Sequence, residues 1–253
     1  MWLIPYLAGC VLAVQPTWNL VFFAFGALLL FVARTEFVRW GRRGFPAEDL
    51  RRRSETTVAL LLGTLGLLPL GIALYGIFTA TAGLYVAFVF VLAASSIVLA
   101  LLRLERTWTA ELLGILLLTA SGPIALAIGG TRDPGHLIAF HVINFLFFSL
   151  SIFYVRAKVG RLRERRDSLS LWLKARLGAV ALGYLGGVHL ALWFLVRSQL
   201  VPAGMFLAFL PITLHTLVGL ARLDQRVDLR RLGFAEMVQS LVFLLSVLVL
   251  WTR

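Results

Sequence analysis

The stretch His136-Leu-Ile-Ala-Phe-His-Val-Ile-Asn-Phe-Leu-Phe-Phe-Ser-Leu-Ser-Ile-Phe-Tyr-Val155 decides the fold of this chain. As a helix, this mostly apolar stretch is long enough to cross the hydrocarbon core of a bilayer. The segment that follows it is rich in basic residues: Arg156, Lys158, Arg161, Arg163, Arg165 and Arg166. Because arginine clusters beside a span stay on the cytoplasmic side, the stretch predicts one transmembrane helix and also its direction.

The composition of the whole chain indicates a membrane protein. Of its 253 residues, 60% are hydrophobic, and the mean hydropathy is +0.91, whereas ordinary soluble domains are roughly 45–50% apolar. The basic residues that give the chain its formal net charge of +12 lie mainly in short turns between apolar blocks. In these turns, basic residues contact lipid head groups. Membrane lipids are therefore the expected partners, and nucleic acid is not. The single Cys10 excludes a disulfide framework within the chain.

The apolar blocks predict an all-α, polytopic bundle of about nine transmembrane spans in a single domain covering residues 1–253. The expected spans are approximately 1–15, 19–38, 56–76, 79–102, 110–129, 136–156, 176–196, 201–221 and 234–252. We expect Gly122-Pro123 and Pro211 to break or bend their helices. With this alternation, 21 of the 24 basic residues fall on one face. The asymmetry predicts the bacterial cytoplasmic membrane, with the amino terminus in the cytoplasm and the carboxyl terminus outside.

Short matches at nearly constant offset predict an internal repeat. Leu62-Gly-Thr-Leu-Gly66 matches Leu182-Gly-Tyr-Leu-Gly186 at an offset of 120, and Arg42-Arg43 matches Arg165-Arg166 at 123. They favour two parallel halves of four helices, at about 19–129 and 136–252, with helix 1 at 1–15 preceding them. Binding sites of membrane proteins often lie between such repeats.

Polar residues at the cytoplasmic ends of the spans are the candidates for a binding site, because charge within lipid is costly. The candidates are Arg34, Glu36, Glu111, Tyr154, Arg156, His215, Glu236 and Gln239. They predict a polar cavity that opens inward, in which the arginines bind an anion and the glutamates are their partners. Neither a catalytic residue nor a cofactor can be named from the sequence.

Plainer roles are open for the same residues. Glu111 and Glu236 lie where a carboxylate is favoured by the dipole at the start of a helix. Arg34 and Arg156 are placed to extend towards the head groups. His141, His189 and His215 can serve as proton relays or simply as interhelical hydrogen-bonding groups. Because they lie at different predicted depths, no metal site is expected.

Three sequence elements resemble the YwiC-like family of bacterial integral membrane proteins. They are Glu105-Arg106 with Glu111-Leu-Leu-Gly114, Ser151-Ile-Phe-Tyr-Val-Arg156, and Arg230-Arg-Leu-Gly-Phe-Ala-Glu236. The resemblance covers nearly the whole chain and implies membership without an activity. Family members usually begin with Pro-Arg-Glu-His-Gly-Ala-Trp, which is missing here, so we expect the chain to start late, at an internal methionine.

The layout of the nine spans is also similar to that of the UbiA prenyltransferases. Those enzymes bind diphosphate through Mg²⁺ held by aspartate-rich motifs at the cytoplasmic ends of helices 2 and 6. The corresponding places here hold Arg34-Thr-Glu36 and Tyr154-Val-Arg156. Metal-assisted prenyl transfer is therefore not expected.

Three functions remain open. The first is binding or processing of a lipidic, anionic amphipathic substrate at a polar cavity that faces the cytoplasm. The second is transport of a small solute or anion, with the membrane histidines coupling protons. The third is an accessory membrane subunit without a pocket.

Overall fold

The computed structural model describes residues 3–15, 17–43, 50–75, 80–104, 107–163, 171–223 and 228–251. Most of the described residues lie in helices, and none of them lies in a strand. The helices are α1 (Leu3–Leu12), α2 (Trp18–Arg43), α3 (Leu50–Tyr75), α4 (Ala80–Leu101), α5 (Trp108–Thr119), α6 (Ser121–Ile128), α7 (Pro134–Arg163), α8 (Leu171–Arg197), α9 (Met205–Ala221) and α10 (Leu229–Trp251). The predicted all-α polytopic bundle is confirmed.

Within the described residues, five helical segments are long and apolar enough to cross a membrane. They are Trp18–Thr35, Trp108–Ile128, Pro134–Arg161, Arg176–Arg197 and Leu229–Trp251. The remaining predicted spans correspond to shorter apolar segments: Leu3–Leu12, Leu60–Tyr75, Tyr85–Leu101 and Met205–Ala221. The chain is a multi-pass membrane protein.

Large apolar side chains cover the outer faces of these helices. Leu68 on α3 is 68% exposed and Leu207 on α9 is 63% exposed. Apolar exposure on this scale would be an aggregation liability in water, whereas in a bilayer these side chains face lipid tails.

The predicted break in the fifth span lies just before Pro123. The ring of a proline clashes with the carbonyl group four residues earlier, which here belongs to Thr119, the last residue of α5. The Thr119 hydroxyl donates to the Ile115 carbonyl (2.8 Å) and the Ser121 hydroxyl to that of Leu118 (2.8 Å). These bonds occupy carbonyl oxygens near the break. At Pro211, by contrast, α9 continues without interruption.

The chain divides into two compact units. The amino-terminal unit comprises Gly9–Leu137, and the carboxyl-terminal unit comprises Met1–Ala8 with Ile138–Arg253. The predicted two-fold repeat, with halves at about 19–129 and 136–252, stays a prediction.

Glycines set the closest helix contacts of the amino-terminal unit. A Cβ atom added at Gly26 on α2 would lie 2.8 Å from the carbonyl oxygen of Gly66 on α3, and one at Gly66 would lie 3.1 Å from the Gly26 oxygen. A Cβ atom at Gly9 on α1 would overlap the carbonyl oxygen of Gly122 on α6. These pairs allow backbones to approach closely, as is typical of helix contacts in membranes.

Aromatic rings form the core of the carboxyl-terminal unit around α7. The Phe147 ring stacks on Phe243 of α10, with centroids 3.9 Å apart, and meets Phe209 of α9 edge-on at 6.1 Å. Phe153 of α7 packs against Tyr184 of α8 at 4.4 Å. Most residues of the apolar segment Pro134–Arg161 are buried, and rings of α7 contact α8, α9 and α10.

An aspartate caps α7 outside the membrane-spanning segment. Asp133 accepts hydrogen bonds from the Gly135 backbone N–H (2.9 Å) and from Nδ1 of His136 (2.5 Å). The bond from His136 lowers the pKa of the Asp133 carboxyl below its ordinary value. An ionised carboxylate at this position favours the start of the helix through the helix dipole.

We expect Gly66→Leu to destabilise the protein by roughly 1–3 kcal/mol, the usual cost of overpacking a close contact. The side chain would meet the α2 backbone at Gly26, so the two helices must separate. The measurement is the thermal unfolding of the full-length protein in mild detergent.

Gly63→Leu is the matched control on the same helix, because nothing lies within 4 Å of a Cβ atom at Gly63. If both variants unfolded at the wild-type temperature, the contact between Gly26 and Gly66 would not stabilise the unit.

Candidate functional site

The structure distributes the eight predicted site residues between the two units. Arg34, Glu36 and Glu111 belong to the amino-terminal unit, and Tyr154, Arg156, His215, Glu236 and Gln239 belong to the carboxyl-terminal unit. The side chain of Glu36, and the residues Glu105-Arg106 and Arg165-Arg166, lie outside the described parts. A single cavity lined by all eight residues stays a prediction.

Arg34 lies near the end of a membrane-spanning segment and contacts a neighbouring helix. Its Nη2 donates to the hydroxyl oxygen of Ser96 on α4 over 2.9 Å, and Ser96 is buried. Arg34 therefore does more than extend towards head groups. The bond to Ser96 uses one of the five N–H groups of the guanidinium.

Glu111 occupies the first turn of α5, as the capping interpretation requires. The Thr107 hydroxyl caps this helix by accepting from the Ala110 backbone N–H (3.4 Å). A carboxylate at this position is stabilised by the helix dipole. The plainer role predicted for Glu111 thus agrees with the geometry.

Glu236 differs from Glu111, because its helix begins earlier than the sequence indicated. The predicted ninth span started near residue 234, whereas α10 begins at Leu229. Asp228 provides the cap, and its Oδ1 accepts from the Arg230 backbone N–H (2.9 Å). The dipole is effective within the first turn, so it does not account for Glu236, which lies about two turns into the helix.

Glu236 is instead part of a group that we call the polar cluster, formed by Ser151 and Tyr154 of α7, His215 of α9, and Glu236 and Gln239 of α10. The Ser151 hydroxyl donates to Oε2 of Glu236. The other oxygen, Oε1, is 3.5 Å from Nε2 of His215. The Tyr154 ring meets the His215 ring edge-on, with centroids 4.9 Å apart.

Several polar atoms of this cluster are buried without a hydrogen-bond partner among the described residues. They are Oε1 of Glu236, Nε2 of His215 and Oε1 of Gln239. The side chains of Glu236 and His215 are 13% and 24% exposed, and Gln239 follows Glu236 by one turn on the same helix face. An unsatisfied buried polar group costs roughly 1–3 kcal/mol, so the cluster is suited to receiving a further group.

Gly219 on α9 makes room for the Tyr154 side chain. A Cβ atom at Gly219 would overlap the tyrosine hydroxyl and ring. Neither Gly219 nor Ser151 is among the site residues predicted from the sequence. Ser151 carried a usable signal, since it precedes Tyr154 by three residues and so shares its helix face.

Two cations next to the cluster connect α7 to the end of α9. Nζ of Lys158 donates to the Arg222 carbonyl oxygen (3.4 Å) and lies 5.8 Å from the centroid of the Tyr154 ring. Nε of Arg161 donates to the Leu223 carbonyl oxygen (3.2 Å). Because α9 ends at Ala221, both cations meet the negative end of its dipole.

The other histidines within the spans lie apart from these contacts. His189 on α8 bonds through Nδ1 to the Leu185 carbonyl oxygen (2.9 Å), and its Nε2 is 3.4 Å from the Thr213 hydroxyl of α9. His141 is buried on α7. The part of the chain that the structure describes contains no group of three His, Cys, Asp or Glu residues that could hold a metal ion.

Comparison with known proteins identifies the family. Residues 1–126, about half of the chain, match the family described as YwiC-like protein. The chain belongs to the YwiC-like family. No curated protein and no solved structure matches it, so the UbiA-like layout stays a prediction. The match includes Arg34, Glu36 and Glu111, whereas the polar cluster of this YwiC-like protein lies beyond the matched residues.

We expect Gly219→Ala to destabilise this YwiC-like protein by roughly 1–3 kcal/mol, because the added methyl group overlaps Tyr154. If the overlap is the cause, the double variant Gly219→Ala/Tyr154→Ala should lose less stability than the two single variants combined. The measurement is thermal unfolding in mild detergent.

Gly178→Ala is the control, since a Cβ atom there makes ordinary contact with Leu220, at 3.5 Å. Strict additivity of Gly219→Ala and Tyr154→Ala would contradict the contact.

Proposed function

We propose that this integral membrane protein binds the polar head group of a lipidic, amphipathic ligand at the polar cluster. The observation that supports the proposal is the set of buried atoms on Glu236, His215 and Gln239 that form no hydrogen bond with the described residues. The hydrocarbon core of the bilayer contains no water that could form hydrogen bonds with such atoms. A bound head group would supply the missing hydrogen bonds.

The surface beside the cluster supports a ligand with an apolar tail. On α10, Phe234 is 63% exposed and Met237 is 60% exposed. Phe234 precedes Glu236 by two residues, and Met237 follows it directly. An apolar chain lying along these side chains would remain in the hydrocarbon while its head group reached Glu236.

We further propose the bacterial inner membrane as the location, with the amino terminus in the cytoplasm and the carboxyl terminus outside. The distribution of basic residues supports this orientation. It places the polar cluster towards the cytoplasmic side, since α7 ends and α10 begins there.

An anionic part of the head group would bind arginine. Arg34 and Arg156 are the candidates for a phosphate or carboxylate, because a guanidinium matches the geometry of both groups. Glu36 and Glu111 remain candidates as partners of these arginines. These assignments are part of the proposal.

Proton-coupled transport of a small solute or anion is the second candidate function. The observation that favours it is the distance of 3.5 Å between Nε2 of His215 and Oε1 of Glu236, because such a pair can share a proton. Transport would also need a polar pathway beyond His189. An accessory subunit, the third possibility, would bind neither ligand.

Topology is tested by reporter fusions in a bacterial host. A reporter that is active only outside the cytoplasm should be inactive when fused after Arg166 and active when fused after Ser198, because an arginine-rich turn resists translocation. A reporter that is active only in the cytoplasm should give the opposite pattern. Periplasmic activity of the fusion after Arg166 would reverse the proposed orientation.

Ligand binding is tested by native mass spectrometry of the full-length protein, incubated with a total lipid extract of bacterial inner membrane. We expect the wild type to retain a subset of lipids, and Glu236→Gln to retain about tenfold less of it. Losing a hydrogen bond to a charged group costs roughly 1.5–3 kcal/mol, and 1.4 kcal/mol is a factor of ten.

Asp228→Asn is the matched control, because it removes a carboxylate from the start of α10 while asparagine keeps the cap. Retention of the same lipids by the wild type and Glu236→Gln would reject the proposed site. Binding that only mirrors the composition of the extract would favour the accessory subunit.

A further inference from the structure

We propose that the Glu236–His215 pair recognises a primary ammonium group, which exchanges with a proton at this site. The inference rests on the proposed function and names the class of head group that the polar cluster binds. Three features of the cluster carry it: its charge, its unpartnered acceptors and its position in the membrane.

One proton would balance the charge of the Glu236–His215 pair. The titratable groups that interact with Glu236 are Tyr154 on α7 and His215 on α9. Tyrosine is neutral at physiological pH, and Nζ of Lys158 donates to the Arg222 carbonyl oxygen. Among the described residues, the cation within ion-pair distance of Glu236 is His215, when that ring is protonated.

The pair is therefore neutral when it holds one proton, on either the carboxylate or the imidazole. Loss of that proton leaves an uncompensated anion inside a membrane-spanning segment. An unpaired charge inside the membrane is costly, so the proton leaves readily only when another cation replaces it.

The unpartnered atoms select a ligand that donates hydrogen bonds. Oε1 of Glu236 and Oε1 of Gln239 are both acceptors. The Ser151 hydroxyl is already committed to Oε2 of Glu236. A primary ammonium has three N–H donors and no acceptor, so it can donate to these two oxygens, which accept no hydrogen bond from the described residues, whereas an anion would face two acceptors.

The exchange conserves charge. One ammonium enters the cluster and one proton leaves the Glu236–His215 pair, so the site remains neutral before and after binding. Because proton and ammonium compete, the apparent affinity for the ammonium must fall as the pH is lowered.

The experiment is isothermal titration calorimetry of the full-length protein in mild detergent, with octylammonium as the probe. Two buffers of different ionisation enthalpy report the number of protons released. We expect about one proton per bound octylammonium, as linkage requires for a one-for-one exchange. For the wild type, the affinity should weaken about tenfold per pH unit in the range where the pair is protonated.

Two further probes define the recognised group. Octyltrimethylammonium keeps the tail and the charge but has no N–H donor, so it should bind at least about tenfold more weakly. Methylammonium keeps the head group without the tail and should also bind at least about tenfold more weakly, because it lacks the apolar chain whose burial contributes to binding. If octyltrimethylammonium bound as tightly as octylammonium, recognition of the N–H donors would be wrong. If methylammonium did, the contribution of the apolar tail would be wrong.

Variants locate the site. Glu236→Gln should bind octylammonium at least about tenfold more weakly and release no proton, whereas Asp228→Asn should behave as the wild type. Undiminished binding by Glu236→Gln would overturn the inference, as would binding by the wild type without proton release or pH dependence. The measurements on the wild type decide the matter even if Glu236→Gln does not fold.

The result also separates the two proposals. Suppose that Glu236→Gln retains less membrane lipid than the wild type, but octylammonium does not bind the wild type. The polar cluster is then a lipid-binding site, and the proposal that it recognises a primary ammonium is wrong. If neither lipid nor octylammonium depends on Glu236, both proposals fail.

Discussion

The absence of water inside the bilayer is the constraint on which this structure depends. A polar side chain within a span must find its partner in the protein. Several hydroxyl groups of the described residues do so within their own helix: Thr213 donates to the Phe209 carbonyl oxygen and Ser246 to that of Val242, both over 2.8 Å. A carboxylate cannot donate when it is ionised. Glu236 therefore depends on other helices, and its contacts with Ser151 and His215 help to determine how α7, α9 and α10 meet.

The same constraint explains the role of small residues in the packing. Lipid tails are as apolar as leucine, so helices in a membrane associate through close packing rather than by leaving water. The α2–α3 contact at Gly26 and Gly66 brings two backbones together, whereas Gly219 accommodates the ring of Tyr154. The second contact links packing to the polar cluster, because the ring that Gly219 admits is the one against His215.

The sequence predicted the helices better than it predicted their contacts. Hydropathy marks spans directly, since the length of an apolar run is set by the bilayer, and Pro123 marked the division of the fifth span through its own geometry. Contacts depend on which faces meet. Gly66 and Gly186 belong to matching Leu-Gly-x-Leu-Gly motifs, yet Gly66 packs against a backbone while no atom of the described residues lies within 4 Å of a Cβ atom at Gly186. Lys158 and Arg161 were likewise predicted only as topology signals, because their bonds to the end of α9 depend on tertiary structure.

The position of helix ends separates the two glutamates that the sequence treated alike. Both were predicted to begin their helices, where the dipole would explain them. Glu111 does lie in the first turn of α5, next to the Thr107 cap. Glu236 lies seven residues after Leu229, and Asp228 already caps that helix. Because Asp228 fills the capping role, capping does not explain why a carboxylate is kept inside the span at Glu236. The neighbouring acceptor on Gln239 and the imidazole of His215 make Glu236 the better candidate for a ligand-binding carboxylate.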